Sequence, residues 1–237
     1  MIELLVAFVA VTVGAMIQGS VGFGLALVVV PVLAMVRPEA LPAVVLLLAM
    51  PMAALMTARE WRSADMAGLL PILGGRVFGT LGGVGLLALI PVGFLSVLFG
   101  ALVLAAVLAS LLRLKVSLND RTKFAGGVAS GVMGTAGGVG GPPLALVYQD
   151  RSGPEIRSTL AVAFVVGTGM SLVALLLSGR IGADHALFSL QLLPGMLLGL
   201  LSTRWIAPLL DASWLRPAVL VFAAASGLAV VILGLAR

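Results

Sequence analysis

The chain has no cysteine and a single histidine, His185, in 237 residues. Disulfides, thiolate chemistry and cysteine-ligated metals are therefore excluded, as is a metal site built on several histidines. Charge is scarce as well. Only 10% of residues are Asp, Glu, Lys or Arg, against 61% hydrophobic, and the mean hydropathy is +1.24. A soluble domain of this length needs far more polar surface, so the chain reads as an integral membrane protein. Aromatics make up 5% and never interleave a basic patch. The net charge of +5 thus reads as loop charge and gives no reason to expect nucleic acid. Met1-Ile2-Glu3 lacks the positive n-region of a secretory signal, and no clear cleavage site follows. HExxH, a Ser/His/Asp set and a carboxylate pair within the apolar runs are all missing, so neither catalysis nor a cofactor is expected.

Glycine is what the chain has in excess, with 30 residues. The densest stretch is Gly126–Tyr148, GGVASGVMGTAGGVGGPPLALVY, which closes its glycine run with Pro142-Pro143. An interior glycine costs a helix roughly 1 kcal/mol and a proline roughly 3 kcal/mol relative to alanine. Hydrocarbon supplies no water to freed backbone groups, so broken helix at membrane depth survives only inside protein or against a wet cavity. Gly134–Gly141 is accordingly expected to be unwound chain lining a solute site. A weaker copy, QGSVGFG at Gln18–Gly24, precedes an apolar run to Pro31. The arms around it, ending at Ile17 and starting at Phe23, span roughly 24 and 21 Å as helix. Both fall short of the roughly 30 Å hydrocarbon core, which predicts a hairpin that dips in and returns. Interrupted segments at corresponding places in two halves point to a transporter binding site.

Charge clusters delimit the remaining segments at Ala40–Thr57, Met66–Ile90, Pro91–Leu112, Ser158–Leu177, Ala186 to about Leu210, and Trp214–Leu235. The loop Arg113–Lys123 divides the chain. Gly22 and Gly24 fall on Gly138 and Gly140, and Pro38-Glu39 on Pro154-Glu155, at one constant displacement. Leu69-Leu70-Pro71 matches Leu192-Leu193-Pro194 after a short insertion, which marks an internal repeat. If each broken segment is a hairpin, Arg59, Arg62, Arg113, Lys115, Arg121, Lys123, Arg151, Arg157 and Arg216 share one side. Arg37, Arg180 and Arg237 then face the other. If each break is a single crossing, the bias weakens, so the positive-inside rule favours hairpins and opposite topology of the halves. The expected fold is an all-α polytopic membrane protein of two inverted four-segment repeats. Each repeat opens with a glycine-broken helical hairpin or discontinuous helix. Residues 1–112 form one membrane repeat, 113–123 a cytoplasmic connecting loop, and 124–237 the second repeat.

QGSVGFGLALVVVP (Gln18–Pro31) and SGVMGTAGGVGGPPL (Ser130–Leu144), each opening one half, resemble the sulfite exporter TauE/SafE family. PEIRSTLA (Pro154–Ala161) and GLLSTRWIAPLLDASWLRPAVLV (Gly199–Val221) are similar to that family's second half. The resemblance covers nearly the whole chain and rests mainly on the repeated layout. It implies a plasma-membrane transporter that exports sulfite, sulfonates or related small organic anions, with coupling to the proton gradient. It supplies no catalytic residues. Arg76 stands where an apolar or small residue is expected of the family.

The candidate substrate-binding backbone is Gly19, Gly22, Gly24, Gly134, Gly137, Gly138, Gly140 and Gly141, where half-helix ends offer N–H donors to an anion. Close helix packing through small residues is the alternative, as for the ridge Gly75, Gly79, Gly83 and for Gly195 and Gly199. Gln18, Ser20 and Thr135 are the donors beside the breaks, unless they cap local backbone. Arg76 lies mid-span with no acid in its own segment, so a bound anion or a wet cavity is its natural partner. A snorkelled or carbonyl-paired side chain is the alternative. Arg204 is expected at an interface, near Trp205 and Asp211, and Trp61, Trp205 and Trp214 in interfacial belts. Arg157 either pairs with Asp150 or serves as a topology charge. His185 beside Asp184 reads as a loop-edge residue more readily than a proton relay, and Tyr148 and Gln149 flank the cavity mouth. The partners expected are a small anion and the lipid bilayer, with no feature that indicates an oligomer. The leading function is a secondary anion transporter, and an anion channel is the alternative.

Overall fold

Within hydrocarbon each backbone N–H and C=O must find its partner inside its own segment, so a chain this apolar has helix as its economical solution. The computed structural model describes residues 2–111, 116–206 and 212–236, with the side chains at 206 and 212–216 outside that description. Arg113, Lys115, Asp211, Trp214, Arg216 and Arg237 thus lie outside the described side chains. Among the described residues the regular structure is helical throughout. The helices are α1 (Ile2–Val21), α2 (Leu25–Val36), α3 (Ala43–Glu60), α4 (Met66–Leu89), α5 (Leu95–Leu111), α6 (Asp120–Gly137), α7 (Gly141–Val147), α8 (Gly153–Leu177), α9 (Ala183–Ile206) and α10 (Ala212–Leu235). Seven stretches among the described residues are long and apolar enough to cross a membrane. They exclude α2, which has 12 residues, α7, which has 7, and α6, which opens on Asp120, Arg121 and Lys123.

Both interruptions are narrower than the sequence leads one to expect. Helix α1 runs past Gln18 to Val21, and α6 runs from Asp120 through Gly134, Thr135 and Gly137. Non-helical chain is confined to residues 22–24 and 138–140. Two forces override the glycine cost. Packing against neighbours outweighs intrinsic propensity. A capping box also starts α6 early: Thr122 N–H donates to Asn119 Oδ1 at 3.0 Å and Asn119 N–H to Thr122 Oγ1 at 3.1 Å. The first arm is therefore not short, because the 20 residues of α1 reach about 30 Å.

At the breaks themselves glycine is required. Gly22, Gly24 and Gly138 take φ of 96°, 144° and 76°, where a side chain is strained. Gly22 N–H still reaches Gln18 O at 2.7 Å and Gly138 N–H reaches Gly134 O at 2.8 Å, so each helix ends with its last carbonyls in use. The chain then turns back. Leu25 N–H donates to Gln18 Oε1 at 3.1 Å, and Gly14 lies against Leu25. In the second half Ser130 Oγ donates to Gly140 O at 2.6 Å, and Gly126 lies against Leu144 and Val147.

Helix α4 packs on α6, α1 on α9, α3 on α8, and α5 on α10. Glycine permits the first of these. A Cβ on Gly75 or Gly79 would overlap the carbonyl oxygen of Phe124 or Val128, and one on Gly131 would stand 2.7 Å from Gly79 Cα. Gly195 and Gly199 receive Phe8, Thr12 and Ala15 of α1 in the same way. Backbone-to-backbone contact of this kind maximises dispersion and carries association where lipid removes the hydrophobic drive.

Replacing Gly79 by Val should prise α4 from α6 at a cost of roughly 3 kcal/mol. The check is the unfolding midpoint of purified protein in detergent, which should fall clearly below wild type. An unchanged midpoint would mean that the α4–α6 contact is slack.

Candidate functional site

Arg76 lies about 15 Å along α4 from Met66 and is 1% exposed. Its Nη1 donates to Ser130 O at 3.0 Å and to Ser130 Oγ at 2.8 Å. Ser130 Oγ passes its own proton to Gly140 O, so one hydroxyl ties the guanidinium to the end of the second break. Nε has no partner among the described residues, and no carboxylate there pairs with Arg76. Three glycines make the space: a Cβ on Gly134 or Gly140 would stand 3.2 or 3.0 Å from Nη1, and one on Gly167 of α8 would overlap Nε. A buried cation without a counter-charge costs several kcal/mol, and two neutral acceptors from one serine recover only part of it.

Beside the guanidinium is a cavity of about 40 Å³. One water molecule needs about 10–15 Å³ by this measure, so the space suits a small ion or roughly three waters. The start of α2, the second break, the Val45–Ala49 face of α3, and Phe164 and Thr168 of α8 form its walls. Arg76 is the only ionisable side chain among the lining residues.

The structure brings Gln18, Gly24, Arg76, Gly134, Gly138, Gly140 and Gly141 to this cavity. The other candidates stand behind the walls. Gly19 meets Thr203 and Leu200 of α9, Gly22 meets Arg157, and Gly137 meets Leu102 of α5. Ser20 Oγ donates to Met16 O at 2.9 Å, and Thr135 Oγ1 shares a 2.7 Å hydrogen bond with Ser171 Oγ. Phe23, Phe164, Thr168 and Ser130 were not singled out in the sequence. Thr168 and Ser130 had a signal, being polar residues set among glycines (Gly167–Ser171, Ser130–Gly134) in apolar helices, while the two phenylalanines had none.

Among the outlying residues, Arg157 takes a partner other than the acid weighed for it, while Arg204 keeps its expected neighbour Trp205. Arg157 Nε pairs with Glu60 Oε2 at 3.1 Å instead of with Asp150. His185 takes its hydrogen bonds from backbone, in keeping with a loop-edge residue: Nε2 lies 3.0 Å from Glu39 O, and Nδ1 accepts Gly182 N–H at 3.1 Å. Arg204 stacks on Trp205 at 3.7 Å, and Trp61 and Trp205 are exposed. Tyr148 is fully buried and donates to Asp65 Oδ2 at 2.8 Å.

That last contact belongs to a latch. Asp65 caps α4 through Gly68 N–H at 2.9 Å, and its Oδ2 also accepts from Lys123 Nζ of α6 at 2.8 Å. Its own N–H donates to Thr159 Oγ1 of α8. The Asp65 carboxylate thereby joins the starts of α4 and α6 and the end of α7, and its backbone N–H adds α8. Burial alone would raise the Asp65 carboxyl. The hydrogen bonds from Lys123, Tyr148 and Gly68, with the Lys123 charge, outweigh it and hold the group below its ordinary 3.8.

A family model described as Sulfite exporter TauE/SafE matches residues 6–230. No curated protein and no solved structure matches the chain.

Asp65→Asn should lower stability by about 2 kcal/mol at neutral pH, the worth of a charged hydrogen-bond hub. The folded-state value is depressed, so this stabilisation is present above 3.8 and is lost as pH falls through the lower folded value. Denaturant unfolding of wild type and variant should therefore differ across neutral and mildly acidic pH and converge only in strong acid. Equal stability at neutral pH would remove the latch.

Proposed function

The chain belongs to the sulfite exporter TauE/SafE family, a family of membrane transporters for sulfite-type anions, and from that footing we propose that it is a secondary exporter of a small anion bound at Arg76. The observation that carries this reading is the buried guanidinium beside a small cavity, with an unmet Nε and no acid paired to it among the described residues. An anion is the chemical complement of that site. Thr168 and the peptide groups around Gly24 and Gly138–Gly141 surround the same space and would orient it.

The mechanism proposed is alternating access by two inverted repeats, residues 1–112 and 124–237, about a midplane site. Three observations support it. The helix pairing is unchanged in kind when the halves are exchanged: α1 on α9 answers to α6 on α4, while α3 and α8, and α5 and α10, are mutual partners. Each hairpin ends beside the side it entered from: Tyr148 returns to Asp65 and Lys123 near the start of α6, and Glu39 to His185 at the start of α9, whose glycines lie along α1. Arg76 is about 15 Å from the start of its helix, near the middle of a core roughly 30 Å thick. In this arrangement Arg59, Arg62, Arg121, Lys123, Arg151 and Arg157 face the cytoplasm together with the connecting segment 113–123, which from Asp120 on forms the first turn of α6 instead of loop.

Flux of sulfite from proteoliposomes tests the reading. Arg76→Ala should abolish it. Arg76→Lys should lower it about tenfold, because a compact ammonium cannot reproduce the planar fork between Ser130, Gly134 and Gly167. Gly138→Val and Gly140→Val should insert normally yet fail to transport, as a Cβ on Gly140 meets both Ser130 O and Arg76 Nη1. Wild-type flux in all four variants would reduce Arg76 and the breaks to packing. Non-saturable flux at pore-like rates would make the protein a channel.

A further inference from the structure

We infer that the carrier is an exchanger of monovalent anions: a single negative charge must sit against Arg76 whenever the protein reorients, so export of one anion requires return of another. The inference rests on the transport reading above and adds to it the charge of the cargo and the mode of coupling.

The argument is one of charge. Arg76 brings one positive charge into the bundle, and the repeat does not bring a second. With Pro71 aligned to Pro194, the position answering to Arg76 is Gly199, which is packed against Thr12 of α1. No acid offsets it, since the ion pairs found among the described residues all involve other groups. A monoanion neutralises the site. A dianion leaves a net negative charge against walls that include Phe23, Val45, Leu46 and Phe164.

Reorientation passes through a state in which the site is sealed from both sides, and there a lone cation is at its most costly. The loaded carrier avoids this cost and the empty carrier does not. Return of the empty form is therefore the slow step, and an anion bound from the far side removes it.

Proton coupling through the site needs a group that can take a proton. Among the lining residues no carboxylate, histidine or lysine is present. Asp65, the acid that ties down the end of the second hairpin, is committed to Lys123, Tyr148 and Gly68. His185 lies on the far side, with Arg37, Glu39, Asp184 and Phe188 around it. The counter-anion supplies the coupling that these groups do not.

The test uses full-length protein in proteoliposomes loaded with labelled methanesulfonate, formate, or sulfite buffered acidic enough to favour bisulfite. Efflux is measured into medium containing the same unlabelled anion, sulfate, or no permeant anion. The expected result is acceleration of about tenfold or more by the external monoanion, little by sulfate, and indifference to an imposed membrane potential, because exchange of like charges is electroneutral. Saturable efflux that ignores the external anion, or that follows an imposed proton gradient without one, overturns the exchange and leaves the transport reading standing. Acceleration by sulfate equal to that by monoanions overturns the charge assignment. Absence of saturable flux for every probe overturns the transport reading and this inference with it.

Discussion

A guanidinium deep in an apolar bundle, without a carboxylate partner among the described residues, is the constraint from which the rest of this structure follows. Its cost is several kcal/mol, comparable to a large share of a domain's net stability. The chain meets it with geometry. Ser130 supplies two oxygens to Nη1, and its hydroxyl proton goes on to Gly140 O. Glycine at 134, 140 and 167 lets the planar group lie between α4, α6 and α8. What is not met, Nε, is as informative as what is, because a structural arginine in hydrocarbon is normally satisfied all round.

Glycine serves two ends here, and they pull in opposite directions. Along α4, α6 and α9 it draws helices to backbone contact and stays helical, although it is a poor helix former. At Gly22, Gly24 and Gly138 it permits positive φ and ends the helix. The first use makes the scaffold stiff, and the second opens it where the cavity lies. The Asp65 latch connects them: it fixes the start of α4, which carries Arg76, to the end of α7, which follows the second break. A carboxylate held ionised is suited to a fixed strut, and this is why proton uptake at Asp65 makes a poor trigger.

The two uses also decide how much could be read from the sequence. All-helical membrane architecture and the rough place of both breaks were legible, because apolar runs, glycine and proline mark them directly. The limits of the breaks were not. Gly134, Thr135 and Gly137 look like broken helix in one dimension and are helical because α4, α5 and α8 press on them. The N-D-R-T capping box at Asn119–Thr122 was a local signal for the early start of α6, overlooked beside the surrounding charge. Arg76 was legible as an anomaly, but Ser130 and Gly167 as its supports were not, since their relation to it exists only after folding. The partners of Arg157 and His185 were hidden for the same reason: Glu60 and Glu39 are remote in sequence.

The resemblance between the halves sharpens the significance of where they differ. Positions that answer to one another carry like backbone chemistry, glycine at the breaks and a proline within the fourth helix of each half, Pro71 in α4 and Pro194 in α9. In the transport mechanism proposed above, the two halves would present equivalent surfaces to the two sides in turn, and nothing in that equivalence sets what is carried. Arg76 against Gly199 breaks the equivalence with a full charge. Substituting one residue on a duplicated frame changes the electrostatics of the site without touching the contacts that let the frame move, because α9 uses Gly199 to pack on α1 while α4 leaves that task to Gly75 and Gly79. Under the proposed mechanism, recognition and movement would therefore be separable in this chain: the first at Arg76 and its three flanking glycines, the second at the glycine faces of α4 and α9.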